Sequence, residues 1–157
     1  MRSKVRSSRL SRRQFALGGI AGAAVAGLPF ASVAQDAAPA WQQAVRKVLG
    51  DAKPIEGKVL IDLPEIAENG NTVPFTISVD SPMSETDHVK AIHVLATANP
   101  QPGMATFRFS LLSGKAMAAS RMRLARTQDV IGIAELSDGR FLMSKRSVKV
   151  TIGGCGG

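Results

Sequence analysis

The 157-residue chain ends Thr151-Ile152-Gly153-Gly154-Cys155-Gly156-Gly157, and its one cysteine sits in that tail between two pairs of glycines. A thiolate is the nucleophilic and bond-forming state of cysteine, but an unperturbed thiol titrates near about 8.5, so only a few per cent is ionised at neutral pH. No His, Lys or Arg lies within five residues of Cys155 to lower that value, and the terminal carboxylate disfavours a second negative charge. An enzyme that uses cysteine surrounds it with a positioned base and oxyanion donors. Four glycines give the tail maximal backbone freedom and no side chains, so it is expected to be mobile and solvated. Extended, the five residues from Gly153 reach about 17 Å at roughly 3.3–3.6 Å each, a thin arm able to enter a narrow channel. The pattern therefore suits a thiol that other proteins act upon, with Cys155 as the attachment point and Gly153, Gly154, Gly156 and Gly157 as the arm. A lone cysteine in an exported chain also invites an intermolecular disulfide. A thiol oxidoreductase or redox sensor would need a resolving cysteine or an activating histidine beside Cys155, and the sequence supplies neither.

No other residues read as catalytic, and no metal site or cofactor is expected. His88 and His93 are five apart, which on a strand puts them on opposite faces. His88 follows Glu85 and Asp87, an acidic cluster read as a solvated loop. Arg121, Arg123 and Arg126 form a basic series that suits an exposed strand face and could also steer anionic partners. Met104, Met117, Met122 and Met143 lack the spacing of a copper site and read as core or interface residues. Trp41 reads as a packing anchor.

Export explains the charge of the chain. It carries 20 basic residues against 12 acids, a net +8. Six of the basic residues and none of the acids fall in residues 1–34, so the remainder holds 14 basic residues and 12 acids, a net +2. So small a charge argues against a nucleic-acid ligand, which needs a concentrated basic face, and the absence of Tyr with only six Phe and one Trp argues against base stacking. The basic run is followed by an apolar stretch from Phe15 to Phe30, shorter than the roughly 20 residues of a membrane-spanning helix and containing Pro29. Ser32-Val33-Ala34 then supplies the small residues a signal peptidase reads. Ser11-Arg12-Arg13-Gln14-Phe15-Ala16-Leu17 resembles a twin-arginine (Tat) export signal carried by Arg12 and Arg13, which implies a periplasmic location. The chain thus divides into a signal at 1–34, a domain at 35–152 and the arm at 153–157.

The domain reads as mainly β. Trp41, Val45, Val48 and Leu49 fall at helical spacing, bounded by Gly50 and Pro54. From Lys58 the period becomes two, as in strands with one buried and one wet face. The alternating sets are Val59/Ile61/Leu63, Phe75/Ile77/Val79, Phe107/Phe109/Leu111, Ala118/Met122/Leu124 and Val148/Val150/Ile152. Residues 89–96, 130–136 and 140–144 are further candidate strands. Asn69-Gly70-Asn71, Asn99 to Gly103, Ser113-Gly114 and Ser137-Asp138-Gly139 are turn signals, and Asp138-Gly139 predicts a hairpin. Seven or eight short strands without intervening helices predict an antiparallel β-sandwich with a short N-terminal helix and a flexible C-terminal tail.

Taken together, the Tat-type leader, the all-β domain and the ending Val148-Lys149-Val150-Thr151-Ile152-Gly-Gly-Cys-Gly-Gly resemble the SoxY family, the thiosulfate-carrier subunits of the bacterial sulfur-oxidising (Sox) system. The resemblance implies an immunoglobulin-like sandwich paired with a second β-sandwich subunit, SoxZ, in a heterodimer. It implies that Cys155 holds sulfur intermediates covalently and that the chain is a carrier rather than an enzyme. A SoxAX-like haem cytochrome would conjugate thiosulfate to the thiol, a SoxB-like hydrolase would release sulfate, and a SoxCD-like dehydrogenase would oxidise the remaining sulfane sulfur. The alternative is a non-catalytic periplasmic interaction module of the same fold, whose Cys155 staples two chains by a disulfide.

Overall fold

The computed structural model describes residues 38–154. The signal read at 1–34, with Arg12 and Arg13, and the tail residues Cys155, Gly156 and Gly157 lie outside the described residues.

Helix α1 spans Ala40–Leu49 and follows Pro39, whose fixed φ leads into the first turn. It ends at Gly50, which adopts φ 59° and donates its N–H to Arg46 O at 2.7 Å. Arg46 and Lys47 in the last turn complement the helix dipole. Trp41, Ala44, Val45 and Val48 share the face that packs on Leu95, Ile131 and Ile133, so Trp41 is the packing residue its spacing predicts.

Nine strands follow: β1 (Ile55–Glu56), β2 (Val59–Asp62), β3 (Ile66–Asn69), β4 (Val73–Val79), β5 (Val89–Ala96), β6 (Gly103–Arg108), β7 (Ala116–Met122), β8 (Gln128–Leu136) and β9 (Phe141–Ile152). They form two sheets, a smaller one ordered β2-β4-β7 and a larger one ordered β1-β9-β8-β5-β6, with β3 also paired to β9. The two enclose one apolar core. Val59, Ile61, Phe75, Ile77 and Val79 of the smaller sheet face Ile92, Val94, Val130, Ala134, Leu142 and Val148 of the larger. The other face of the larger sheet carries α1, which is why β8 is buried at nearly every position instead of alternating.

The architecture is the expected β-sandwich, with three local differences. The candidate strands at 140–144 and 148–152 merge into one continuous strand, β9, which starts at Phe141 and pairs with β8 from Gln128↔Val148 to Glu135↔Phe141. Strands β1 and β3 run parallel to β9 rather than antiparallel. Neither has a period-two apolar signal: in β3 the buried residue is Ala67 while Ile66 is exposed. The Phe107/Phe109 alternation stops at Arg108, and Leu111–Ser113 forms a 3₁₀ turn closed by a Ser110–Ser113 capping box. Asp138-Gly139 does turn β8 into β9, with Gly139 at φ 84°.

At Gly132 the side chains of the smaller sheet press close on the backbone of the larger. A Cβ there would lie 2.6 Å from Ile77 Cδ1 and 3.0 Å from Val59 Cγ1. Gly132→Ala is expected to destabilise the domain by about 1–3 kcal/mol through overpacking. Ile77→Val removes the Cδ1 methyl, so the same change made in an Ile77→Val background should cost less than in the wild type. Chemical denaturation of the four-member cycle measures this coupling, and strict additivity would refute the contact.

Candidate functional site

Strand β9 carries the chain to the tail, and the surroundings of its last residues define the site. Its C-terminal half lies beside β3, with Ala67 paired to Val150 and Asn69 to Ile152. On its other side Val150 N–H donates to Thr127 Oγ1 at 3.0 Å. Beyond Ile152 the backbone runs between the β3–β4 turn and the β7–β8 connection. Gly70 N–H donates to Ile152 O at 2.7 Å, Leu124 N–H to Gly70 O at 2.8 Å, and Gly154 N–H to Leu124 O at 2.9 Å. Gly154 and Gly70 are buried, and the Leu124 side chain is wholly inside the core.

The sequence leads one to expect an arm that is free from Gly153 onward. Gly153 remains exposed but rests against Ala125, and Gly154 is bonded to the body of the domain. The physical reason is space: glycine lets two backbones touch where any side chain would hold them apart. The sequence signals its own contact only weakly, because Gly70 reads as an ordinary turn residue.

The β7–β8 connection that receives Gly154 is itself held from behind by two buried amides, Asn99 and Gln128, each 7% exposed. Asn99 Nδ2 donates to Arg123 O at 2.9 Å, and Asn99 Oδ1 accepts from Ala125 N–H at 3.0 Å. Gln128 Nε2 donates to Asn99 Oδ1 at 2.7 Å and to Arg126 O at 3.1 Å, while its Oε1 accepts from Ala98 N–H at 2.7 Å. Buried amides are tolerated when their donors and acceptors are matched, as these are. Sequence reasoning placed Asn99 in a turn and missed Gln128, since no spacing rule joins residues 29 apart.

The three arginines of the basic series are exposed around this connection. Arg121 Nη1 donates to Thr72 Oγ1 at 3.3 Å and Arg126 Nε to Ala98 O at 3.3 Å, so both touch the loops at the root of the arm. The ion pairs seen among the described residues lie elsewhere, at Lys90–Glu135, Arg140–Asp138, Lys145–Asp129 and Arg146–Glu65. Three exposed arginines thus lie around the connection that receives Gly154.

The two histidines lie away from this site and from each other. His88 donates from Nδ1 to Ser84 O at 3.0 Å, within the loop before β5. His93 lies in β5, hydrogen-bonded to Thr106 Oγ1 at 3.0 Å, and lines an open cavity of about 590 Å³ between α1 and the Pro100–Thr106 segment. Among the described residues no group of three or more His, Cys, Asp or Glu could hold a metal ion. Met122 is in the core, and Met104 packs on it while its Sδ accepts from Asn99. Met143 lies under α1 and Met117 is exposed. Leu60, Ser78 and Met117 stand in register across the outer face of the smaller sheet, where Leu60 is 67% and Met117 55% exposed.

A two-sheet sandwich with a helix on one face of the larger sheet defines a mainly β protein whose last strand ends at Ile152, three residues before the cysteine in sequence. The family model for the sulfur oxidation protein SoxY matches residues 45–155, a span that ends on Cys155. The chain belongs to the SoxY family. Among solved structures it is similar to the sulfur carrier protein SoxY from Chlorobium limicola f thiosulfatophilum, at 30% identity and TM-score 0.61, over 74% of this chain and all of that one. The fold alone is shared with superoxide reductases: the Ignicoccus hospitalis neelaredoxin matches at 13% identity and TM-score 0.54 over 60% of this chain and 80% of that one. The Nanoarchaeum equitans enzyme matches at 13% and 0.52, over 62% of this chain and 99% of that one. No curated protein matches.

Burial holds the His93 imidazole below its ordinary value of 6.5, with Arg108 acting in the same direction and Glu135 against it. Protonation therefore favours the unfolded chain. The stability this histidine contributes is present above pH 6.5 and is lost as pH falls through its folded value. NMR titration should place the His93 midpoint below 6.5, and His93→Gln should flatten the stability–pH curve just below neutrality. A midpoint at or above 6.5 would contradict the burial.

Proposed function

We propose that this chain is a periplasmic carrier, exported by the Tat pathway, that holds thiosulfate-derived sulfur on Cys155 during thiosulfate oxidation. The observation that carries the reading is the family match running through Cys155 at the end of β9. The nearest described residue, Gly154, sits at one end of the sandwich, and covalent geometry keeps the Cys155 Cα about 3.8 Å from the Gly154 Cα.

The chemistry suits a displayed thiolate. Cys155 thiolate and the outer sulfur of thiosulfate join as Cys–S–S–SO₃⁻, releasing two electrons to a SoxAX-like haem cytochrome as external acceptor. A SoxB-like hydrolase then adds water, releasing sulfate and two protons and leaving the persulfide Cys–S–S⁻. A SoxCD-like dehydrogenase oxidises that remaining sulfane sulfur. In each step the bond between Cys155 and the chain is untouched, so the protein carries the group without catalysing its change. The arginines at the arm root favour anionic adducts and acidic partner surfaces over cationic ones.

Cys155→Ser is expected to abolish thiosulfate-dependent turnover of the reconstituted system while changing stability by no more than about 0.5 kcal/mol. Mass analysis of the C-terminal peptide from the native protein should show a thiosulfate or persulfide adduct on Cys155. A peptide found only as a cross-linked dimer would replace the carrier by the interaction module with a disulfide staple.

The heterodimer partner in this reading is a SoxZ-like β-sandwich subunit, and we place its contact on the outer face of the β2-β4-β7 sheet. Leu60 and Met117 expose apolar area there with Thr76, Ser78 and Ala119 between and beside them, and among the described residues no layer covers them. Leu60→Asp is expected to weaken binding of the partner about ten-fold or more, roughly 1.4 kcal/mol, with the thermal midpoint of the isolated chain nearly unchanged. Calorimetric titration with unchanged affinity would move the contact elsewhere.

A further inference from the structure

We propose that Gly153 and Gly154 are the seat of the arm rather than part of its free length, and that Gly70 is the positioning residue that makes the seat. The functional half of this inference rests on the carrier reading; the seat itself does not.

Three backbones meet at one point. A Cβ on Gly70 would lie 2.7 Å from Gly154 N and 3.0 Å from Val150 Cγ1, and would collide with Leu124 O. One on Gly154 would lie 2.7 Å from Gly70 O, 2.9 Å from Gly70 C and 3.1 Å from Asn71 N, and one on Gly153 would collide with Ala125 O. None of the three glycines has a φ in the left-handed region, so each is required for space and not for an unusual backbone angle. Hydrogen bonds lock the contact from both sides, since Gly70 donates to Ile152 and accepts from Leu124, which in turn accepts from Gly154. The obstacles are backbone atoms of paired segments, which cannot turn aside as a side-chain end could.

The two glycine pairs of the tail therefore have different tasks. The pair before the cysteine packs against this chain, and Cys155, Gly156 and Gly157 follow the seat in sequence. An arm pivoting at Ile152 would present the thiol three residues from its anchor, about 10 Å when extended; one pivoting at Gly154 presents it one residue away, within about 4 Å. A protein that acts on Cys155 must then come up to the Gly70 turn and the Leu124–Arg126 segment, so these become part of what it recognises.

The test is hydrogen exchange of the glycine amides in the intact folded chain by NMR. The Gly154 amide, bonded to Leu124 O, is expected to exchange at least ten-fold more slowly than those of Gly156 and Gly157, and Gly70→Ala should remove that protection while strand amides of β4, β5 and β8 stay protected. If Gly70→Ala does not fold, Gly154→Ala takes its place, read at the residue 154 amide and by the mobility of a nitroxide on Cys155, which should rise. Equal exchange at Gly154 and Gly156 in the wild type, or protection unchanged in the variant, overturns the seat. For the functional half, Gly70→Ala should lower reconstituted turnover at least several-fold while iodoacetamide alkylates Cys155 at the wild-type rate; unchanged turnover overturns that half. If Cys155→Ser retains turnover while Gly154 stays protected, the carrier reading fails and the seat stands.

Discussion

Every N–H and C=O along a buried strand must find a partner, and β9 is where this requirement organises the molecule. Of its twelve residues, Phe141 to Val148 pair with β8 along one edge, and β1 and then β3 pair along the other. Because β3 and the Gly70 N–H hold it on one side through Ile152, and Thr127 holds Val150 on the other, its C-terminal end has a definite place. The tail inherits that place. The turn after β3 closes over Ile152 because β3 runs parallel to β9, so Gly70 arrives beside the chain end instead of at the opposite end of the sandwich. An antiparallel β3 would have put its outgoing turn at the start of the paired segment.

The Asn99–Gln128 pair extends the same logic to the loops. Loop carbonyls and amides at residues 98, 123, 125 and 126 have no strand partner, and burying them unpaired would cost on the order of 1–3 kcal/mol each. Two side-chain amides satisfy all of them and so define one conformation for the connection that receives Gly154. The arginines of that connection can stay at the surface because their backbone, not their side chains, is what the core holds.

Electrostatics adds direction to this scaffold. Asp129 lies near the base of β8, hydrogen-bonded by Ser147 and beside Lys145, and these partners hold its carboxyl below the usual carboxylate range. Together with Glu65–Arg146 this pairs acids with bases on the flank of the β8–β9 ribbon. Exposed pairs of this kind add little stability, but they leave Arg121, Arg123 and Arg126 as the cationic feature at the arm's root.

The sequence by itself determined the elements whose signal is local. The helical face of Trp41, Val45 and Val48, the strand at 89–96, the Asp138-Gly139 turn and the sandwich class follow from periodicity and turn chemistry, because burying one face of a helix or strand imposes a repeat on it. Cys155 between its glycines was likewise legible, since a residue type with a specific reactivity needs no fold to be recognised. The tertiary structure alone decided what depends on contacts between distant segments. It set the parallel pairing of β1 and β3, which bury too little for a pattern, and the union of residues 141–152 in one strand, paired with β8 as far as Val148. It also matched Asn99 to Gln128 and brought Gly70 against Gly154. Glycine reads the same in a sequence whether it frees a chain or lets two chains touch, and only the neighbouring backbone decides which.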